Sequence, residues 1–385
     1  MQLTDLQIHH FRNLTQLQLP LGGCNVFLGQ NGSGKTSILE SIYLLSRGKS
    51  FRHHQPKHYI QYGFDRTTVF AKLTDPNTDS QTIAIEKAQD ASTQLRLNQN
   101  SVLTQSPLAK LLPTLLFEPI TLNSLETGSQ ARREILDWLL FHVEQNFHPT
   151  WLKYQKILKQ RNSLLKQIPH FAQISQWQHQ EIQAWDKELG QYAEQIHQLR
   201  QPTIEAWQRH FSEQLAVFLP QYADKLRLRY TVGFDSAVGL TATLAERLGQ
   251  DLELGYTRMG CHRADINVML DNTSIDENGH SHKHSFPATD VLSRGEKKLL
   301  MLSLRLSQLP LLNSVGKVPL VLIDDITAEL DDRALGLLLS GLKQVDSQLF
   351  ITSLSADIVP KLEAIWQQEV KLFHVEQGEV KSNDS

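Results

Sequence analysis

Two short stretches hold residues whose types and spacing suit phosphate chemistry. The first is Gly29-Gln30-Asn31-Gly32-Ser33-Gly34-Lys35-Thr36, which fills every fixed position of the pattern G-x-x-x-x-G-K-[ST]. Glycines at these positions let the backbone turn sharply and set its N–H groups against phosphate oxygens. A helix starting at the loop aims its positive end at the same place. Lys35 would hold the β- and γ-phosphates and Thr36 would ligate Mg²⁺. The second stretch is Asp324-Asp325, at the end of the apolar run Leu320-Val321-Leu322-Ile323. Asp324 is expected to hold Mg²⁺ through water beside Thr36, and Asp325 to polarise the attacking water. A bound nucleotide with Mg²⁺ is therefore expected, with Lys35, Asp324 and Asp325 as the catalytic set.

These residues need a particular frame. Cys24-Asn25-Val26-Phe27-Leu28 reads as a short buried strand, and Thr36 to about Leu45 as a helix with Ile38, Ile42 and Leu45 on one face. The run at 320–323 has the continuous apolar character of a strand buried on both faces of a parallel sheet, whose C-terminal end is where a ligand sits. Residues 2–8 and 14–19 alternate apolar and polar as half-buried antiparallel strands do. Residues 66–73, 81–86 and 93–97 extend this into a β-meander. From about Ser129 to Leu219 the pattern is helical and Gln-rich, and mixed structure returns near Lys225. There Arg227 and Arg229 alternate with apolar residues, 240–249 reads as a short helix and 266–270 as a strand. His280, His282 and His284 alternate in a polar segment that reads as an exposed loop rather than a metal site.

The helical stretch contains an uneven charge distribution. No acidic residue lies between Glu144 and Glu181, while Lys153, Lys156, Lys159, Arg161 and Lys166 are all basic. On a helical wheel Ile157, Leu158, Leu164, Leu165 and Ile168 gather on one side with the four lysines opposite. Arg161 falls on the apolar side, where it is expected to snorkel. A lysine stripe of this kind suits DNA phosphate contact, with Trp151 and Tyr154 nearby, and suits an ordinary solvated face equally well.

Composition sets outer limits. The chain has 385 residues, 40% hydrophobic and 21% charged, with a formal net charge of −3, so nucleic-acid binding would have to rest on a local basic patch. Two cysteines, Cys24 and Cys261, cannot form a disulfide framework, and no export signal or membrane span is evident. A cytoplasmic protein is the expectation.

A third motif gives the first two a context. Leu292-Ser293-Arg294-Gly295-Glu296-Lys297-Lys298 precedes the helical run 299–309 and resembles the signature of ABC-type ATPases. In that family this helix end closes on a γ-phosphate held by a second subunit, so Ser293 and Gly295 become nucleotide-binding candidates. Asp331, in Ala328-Glu329-Leu330-Asp331, matches the D-loop, and Ser353 stands at the switch position. Together with Phe11-Arg12-Asn13, Phe117-Glu118-Pro119 and Gly260-Cys261-His262-Arg263-Ala264-Asp265, these motifs resemble the RecF family of bacterial recombination mediators over essentially the whole length. Glu296, Cys261 and Glu118 depart from the family's usual residues.

The resemblance implies an α/β fold: an ABC-type, SMC-like P-loop ATPase head with an attached β-meander and a helical insert. Boundaries are expected at 1–115 for the N-terminal lobe, 116–224 for the helical domain and 225–385 for the C-terminal lobe. It also implies an ATP-dependent homodimer that binds single-stranded DNA, duplex DNA and gap junctions. Such a dimer works with RecO and RecR to load RecA, supports replication restart and SOS induction, and hydrolyses ATP slowly as a switch. Arg12 is a nucleotide contact by the same resemblance. A scaffold whose ATP is structural is the second reading. A transporter ATPase is the third, disfavoured by the 257 residues from Thr36 to Ser293, far more than a compact transporter subunit has.

Overall fold

The computed structural model describes residues 1–75, 78–122, 125–168, 174–275, 281–326, 329–366 and 370–382. Two compact units emerge, Met1–Leu122 with Leu312–Ser385, and Asn123–Leu311. The expected C-terminal lobe, 225–385, is thus divided between them. The reason is packing: the signature helix lies along the helical insert rather than in the unit that holds the phosphate loop.

The first unit starts with β1 (Gln2–Phe11) and β2 (Leu14–Pro20), then β3 (Cys24–Leu28), α1 (Lys35–Arg47), β4 (Arg66–Asp75), β5 (Thr78–Ala88), β6 (Thr93–Leu97) and β7 (Asn100–Val102). It continues through α2 (Ser106–Leu111), β8 (Thr114–Phe117) and α3 (Pro119–Leu122). Strands β2-β1-β4-β5-β6-β7 form one antiparallel sheet, so the meander extends the N-terminal hairpin rather than standing apart from it. Burial alternates along β1 and β4, as expected of strands with one wet face.

The second unit contains α4 (Ser129–Val143), α5 (Phe147–Leu165), α6 (Gln176–Phe218), β9 (Leu226–Thr231), α7 (Leu240–Glu246) and α8 (Leu248–Leu254). After these come β10 (Asp265–Ile275), β11 (Ser281–Pro287), α9 (Ala288–Val291) and α10 (Arg294–Leu306). The stretch expected as one short helix at 240–249 is two. His280 lies outside the described residues, and the His284 ring stacks with Phe286. At 43 residues α6 dominates the unit, opened by a capping box between Ser175 and Gln178. It runs roughly 65 Å at 1.5 Å per residue. The signature helix α10 packs on it, and the buried Trp207 Nε1–H donates to Ser307 Oγ at 2.7 Å.

Arg161 departs from its expected place. It is fully buried, its Nη1 donating to Asp251 Oδ2 at 2.7 Å and Thr257 Oγ1 at 2.8 Å, and its Nε to Asp186. Tertiary packing brings acids from α6 and α8 to an inward-facing cation, which removes the need to reach solvent. The Gly260–Asp265 motif is a second internal hub. Arg132 of α4 grips Asp265 with two bonds, Tyr154 of α5 meets His262 Nδ1 at 2.8 Å, and Arg200 of α6 donates to the Cys261 carbonyl at 2.9 Å. Burial pushes the Cys261 thiol up to about 12 and lowers His262 to about 4, so both are neutral near pH 7.

The chain closes with α11 (Leu309–Ser314), β12 (Leu320–Ile323), α12 (Asp332–Lys343), β13 (Leu349–Ser353), α13 (Ile358–Trp366), β14 (Val370–Glu376) and β15 (Glu379–Ser382). The second sheet of the first unit has the order β15-β14-β3-β13-β12-β8, parallel from β14 through β8. Every residue of β3, β8, β12 and β13 is buried, as the apolar runs predict. Among the described residues no helix is long and apolar enough to cross a membrane.

Candidate nucleotide site

The phosphate loop lies between β3 and α1, with Gly34 at the helix N-cap. It is pinned from two distant parts of the chain. Asn13 Nδ2 donates to the Ser33 carbonyl at 3.0 Å, the Gly378 N–H donates to the same carbonyl at 2.8 Å, and the Ser37 hydroxyl donates to Asn13 Oδ1 at 3.1 Å. The fit is close. A β-carbon on Gly29 would lie 2.2 Å from the Val375 carbonyl oxygen, and one on Gly378, at φ 85, would lie 2.1 Å from the Asn13 carbonyl oxygen. A cavity of about 700 Å³ borders Gly29, Gln30, Asn31, Gly32 and Ser33, closed on its other side by Leu354, Ala356 and the end of β14.

Lys35 is 3% exposed, and its ammonium donates to the carbonyls of Gly29 at 2.8 Å and Gln30 at 3.1 Å. Thr36 Oγ1 donates to Asp324 Oδ1 at 2.9 Å, across 288 positions of sequence. The hydroxyl and carboxylate named for the metal therefore meet. Both are hard oxygen donors of the kind Mg²⁺ accepts, so the residues fit that ion. Arg12 has its guanidinium on Glu40 of α1, through Nη2 at 2.7 Å and through Nε, and Ser50 also donates to Glu40. Its neighbour Asn13 is the residue that touches the loop.

Three further residues shape the acidic end of the site. Thr352 Oγ1 donates to Asp324 Oδ1 at 2.9 Å and accepts the Asp325 N–H at 2.9 Å. Glu118 follows β8, which pairs with β12 so that Phe117 stands opposite Ile323. Burial, reinforced by the charge of Asp324, raises Glu118 to about 7, and the nearby charge of Arg52 opposes the shift. Asp324 is also raised, first by burial, against hydrogen bonds from Thr352 and Thr36. Glu118 already stands out in the sequence within Phe117-Glu118-Pro119, whereas Thr352 is marked only as a polar residue near the end of an apolar strand. Nothing local marks Arg52.

The raised Glu118 has a consequence for stability. In the unfolded chain it ionises near 4.5, so folding disfavours its charged form and stability falls as pH rises from about 5 through about 7. Asp324, shifted the same way, adds to the slope. Glu118→Gln should therefore raise the melting temperature at pH 8 more than at pH 5, in protein free of nucleotide and metal. Parallel wild-type and variant profiles across that range would show the carboxyl is not held this way.

The signature residues lie in the second unit. Ser293 caps α10: its N–H donates to Glu296 Oε2 at 2.9 Å, its hydroxyl donates to the same oxygen at 2.8 Å, and Oγ accepts the Glu296 N–H. The backbone bond from Ser293 holds Glu296 below its ordinary range. The departure at 296 thus completes a capping box. A β-carbon on Gly295 would meet nothing within 4 Å, which leaves that helix end open. Asp331 caps α12 by accepting the Ala334 N–H at 2.7 Å, while Ala328 lies outside the described residues.

Lys153, Lys156 and Lys159 are exposed on α5 and Lys166 at its C-cap, and the last three line a groove of about 740 Å³ with Gln155, Asn162 and Ser163. Lys153 Nζ stands 5.7 Å from the Tyr192 ring centroid.

The family model for the RecF/RecN/SMC N-terminal domain matches residues 2–381. The DNA replication and repair protein RecF of Acinetobacter baylyi is 40% identical over 381 residues, covering 99% of each chain. The chain belongs to the RecF family. RecF of Shewanella loihica is 35% identical over 382 residues, again covering 99% of each chain. The structure of the recombination mediator protein RecF with ATP, in the RecFOR pathway, superposes with a TM-score of 0.81 at 25% identity, covering 99% of this chain and 97% of that one. An SMC head bound to the C-terminal winged-helix domain of ScpA shares the fold alone, at TM-score 0.57 and 16% identity. The fold of this RecF-family chain is accordingly the SMC-like ABC ATPase head with a helical insert.

Proposed function

We propose that this RecF-family chain is an ATP-driven DNA clamp. The observation that carries the reading is the meeting of Thr36 and Asp324 at 2.9 Å beneath a loop whose Lys35 ammonium rests on loop carbonyls. That arrangement has donors and charge ready for a triphosphate, and hard oxygens for Mg²⁺. When bound, Mg²⁺ would supply charge neutralisation at the phosphates. Lys35 and the backbone donors of 29–36 would hold the phosphates, Thr36 and Asp324 would hold the metal, and Asp325 would orient the attacking water.

Each loop is completed by Ser293 and Gly295 of a second copy, with Asp331 beside the same site, so ATP binding closes a homodimer on DNA and hydrolysis opens it. The open, capped start of α10 supports a role for that end in receiving phosphate. Arg12, anchored on Glu40, would act as a contact near the nucleotide, the role the family resemblance implies for it. Relatives named for DNA replication and repair and for the RecFOR pathway support a role in recombination repair, and single-strand gaps in the cytoplasm are the place we propose for it. There the clamp would cooperate with RecO and RecR to load RecA, serving replication restart and SOS induction.

Sedimentation with and without ATP, alone and on duplex, single-stranded and gapped DNA, tests this. The expected result is a dimer only with ATP, DNA-bound in that state. An ATP-insensitive monomer overturns the clamp, and ATP binding without turnover or DNA response returns the chain to a scaffold role.

The lysine stripe of Lys153, Lys156, Lys159 and Lys166 is the proposed DNA contact. Reversing Lys153, Lys156 and Lys159 to Glu should weaken DNA binding and lower the salt slope of log K by roughly 2 to 3, at about 0.9 per duplex phosphate contact. ATP affinity should not change. Unaltered DNA binding would remove the stripe from the interface.

A further inference from the structure

We propose that Thr352 is the positioning residue of this site, using a single hydroxyl to set both acids, an inference that rests on the ATPase reading above. Thr352 is fully buried at the penultimate position of β13, where a polar side chain in an apolar strand needs a partner. Its hydroxyl has two. It donates to Asp324 Oδ1 at 2.9 Å and accepts the backbone N–H of Asp325 at 2.9 Å, with Asp325 Oδ1 a further acceptor 3.4 Å away.

Two consequences follow from the chemistry of one hydroxyl. The first concerns Asp324. Thr352 and Thr36 both donate to Oδ1, so that oxygen is occupied and Oδ2 is the one left for metal-bound water. If Thr36 turns to ligate the metal, Thr352 keeps Asp324 in orientation. The second concerns Asp325, whose φ of 47 lies in the left-handed region that non-glycine residues seldom adopt. The bond from its N–H to Thr352 holds that conformation, and the conformation decides where the carboxylate faces. Thr352 therefore acts through both acids without itself touching substrate, and its neighbour Ser353 is spent locally, donating to the Ser355 carbonyl at 2.8 Å.

Thr352→Val keeps the shape and removes the hydroxyl, and Thr352→Ser keeps the hydroxyl. The expected result for Val is a kcat at least 10-fold lower with the KM for ATP changed less than about 2-fold, and for Ser recovery to near the wild-type kcat. A purely structural role would not separate kcat from KM in this way, nor be rescued by Ser. The second readout is the Mg²⁺ concentration that half-saturates nucleotide binding, expected to rise at least 3-fold in Val and to return in Ser. Unchanged kcat in Val beside an active wild type overturns the proposal. If the wild type shows no turnover, the hydrolysis reading fails by itself, and an unshifted Mg²⁺ requirement in Val then overturns the role of Thr352 separately.

Discussion

Lys35→Ala is expected to abolish the ATP-dependent dimerisation of the proposed clamp. The Lys35 ammonium is buried and spends its hydrogen bonds on the Gly29 and Gln30 carbonyls, which are the oxygens it must leave, or share, to meet a triphosphate. Alanine removes the cation while the rest of the loop stays tied to Asn13 and Gly378, so the effect falls on binding rather than on folding. Charge-assisted hydrogen bonds contribute about 1.5–3 kcal/mol each, and losing two costs roughly 3–6 kcal/mol, or about 10²–10⁴-fold in ATP affinity. In the proposed clamp the dimer is joined through the nucleotide, so sedimentation at an ATP concentration that saturates the wild type should show monomer only. A variant that dimerises with ATP as the wild type does would sink the composite site, since its central phosphate ligand would be dispensable.

Asp325→Asn has the opposite signature. The variant should bind ATP and dimerise, yet turn over about 10²–10⁴-fold more slowly, the range expected when a general base or water-orienting group is lost. Asparagine suits the position structurally. It tolerates the left-handed backbone at φ 47, and it keeps the N–H that Thr352 accepts. Removing the carboxylate also removes a charge that helps to raise Asp324, so the metal-binding acid becomes easier to ionise. The closed dimer should therefore outlive the wild type's after free ATP is removed, which a dissociation time course measures. Rapid opening would count against Asp325 as the group that orients water. The two variants also discriminate: failure to assemble belongs to Lys35, failure to reopen to Asp325.

Much of this site is legible in linear sequence because its parts are local motifs with fixed spacing. Residues 29–36 encode a strand-loop-helix turn in which glycine, lysine and threonine each answer a steric or charge demand, and the structure places β3 and α1 around them. The run 320–323 announces a doubly buried strand because only apolar residues can occupy both faces of a covered sheet. The lysine stripe on α5 is likewise visible, since helical periodicity alone decides which residues share a face, and those lysines are exposed.

Other parts have no local signal. A helical wheel sends Arg161 to the apolar side but cannot reveal Asp186 and Asp251, which arrive from other helices to neutralise it. The same holds for Arg12. The Phe11-Arg12-Asn13 motif points to the nucleotide, but only the packing of β1 against α1 engages Arg12 with Glu40 and leaves the loop to Asn13.

By itself the sequence determined that the chain carries a phosphate loop, a buried strand ending in two acids and an anion-suited helix start, because each is a local solution to local sterics and electrostatics. The tertiary structure alone decided what stands between them. It set Thr36 and Asp324 2.9 Å apart across 288 positions, put one Thr352 hydroxyl between the acids, and placed Glu118 where burial and a neighbouring carboxylate raise it to about 7. Those are properties of distance and desolvation, which exist only once the chain has brought remote residues together and removed the water between them.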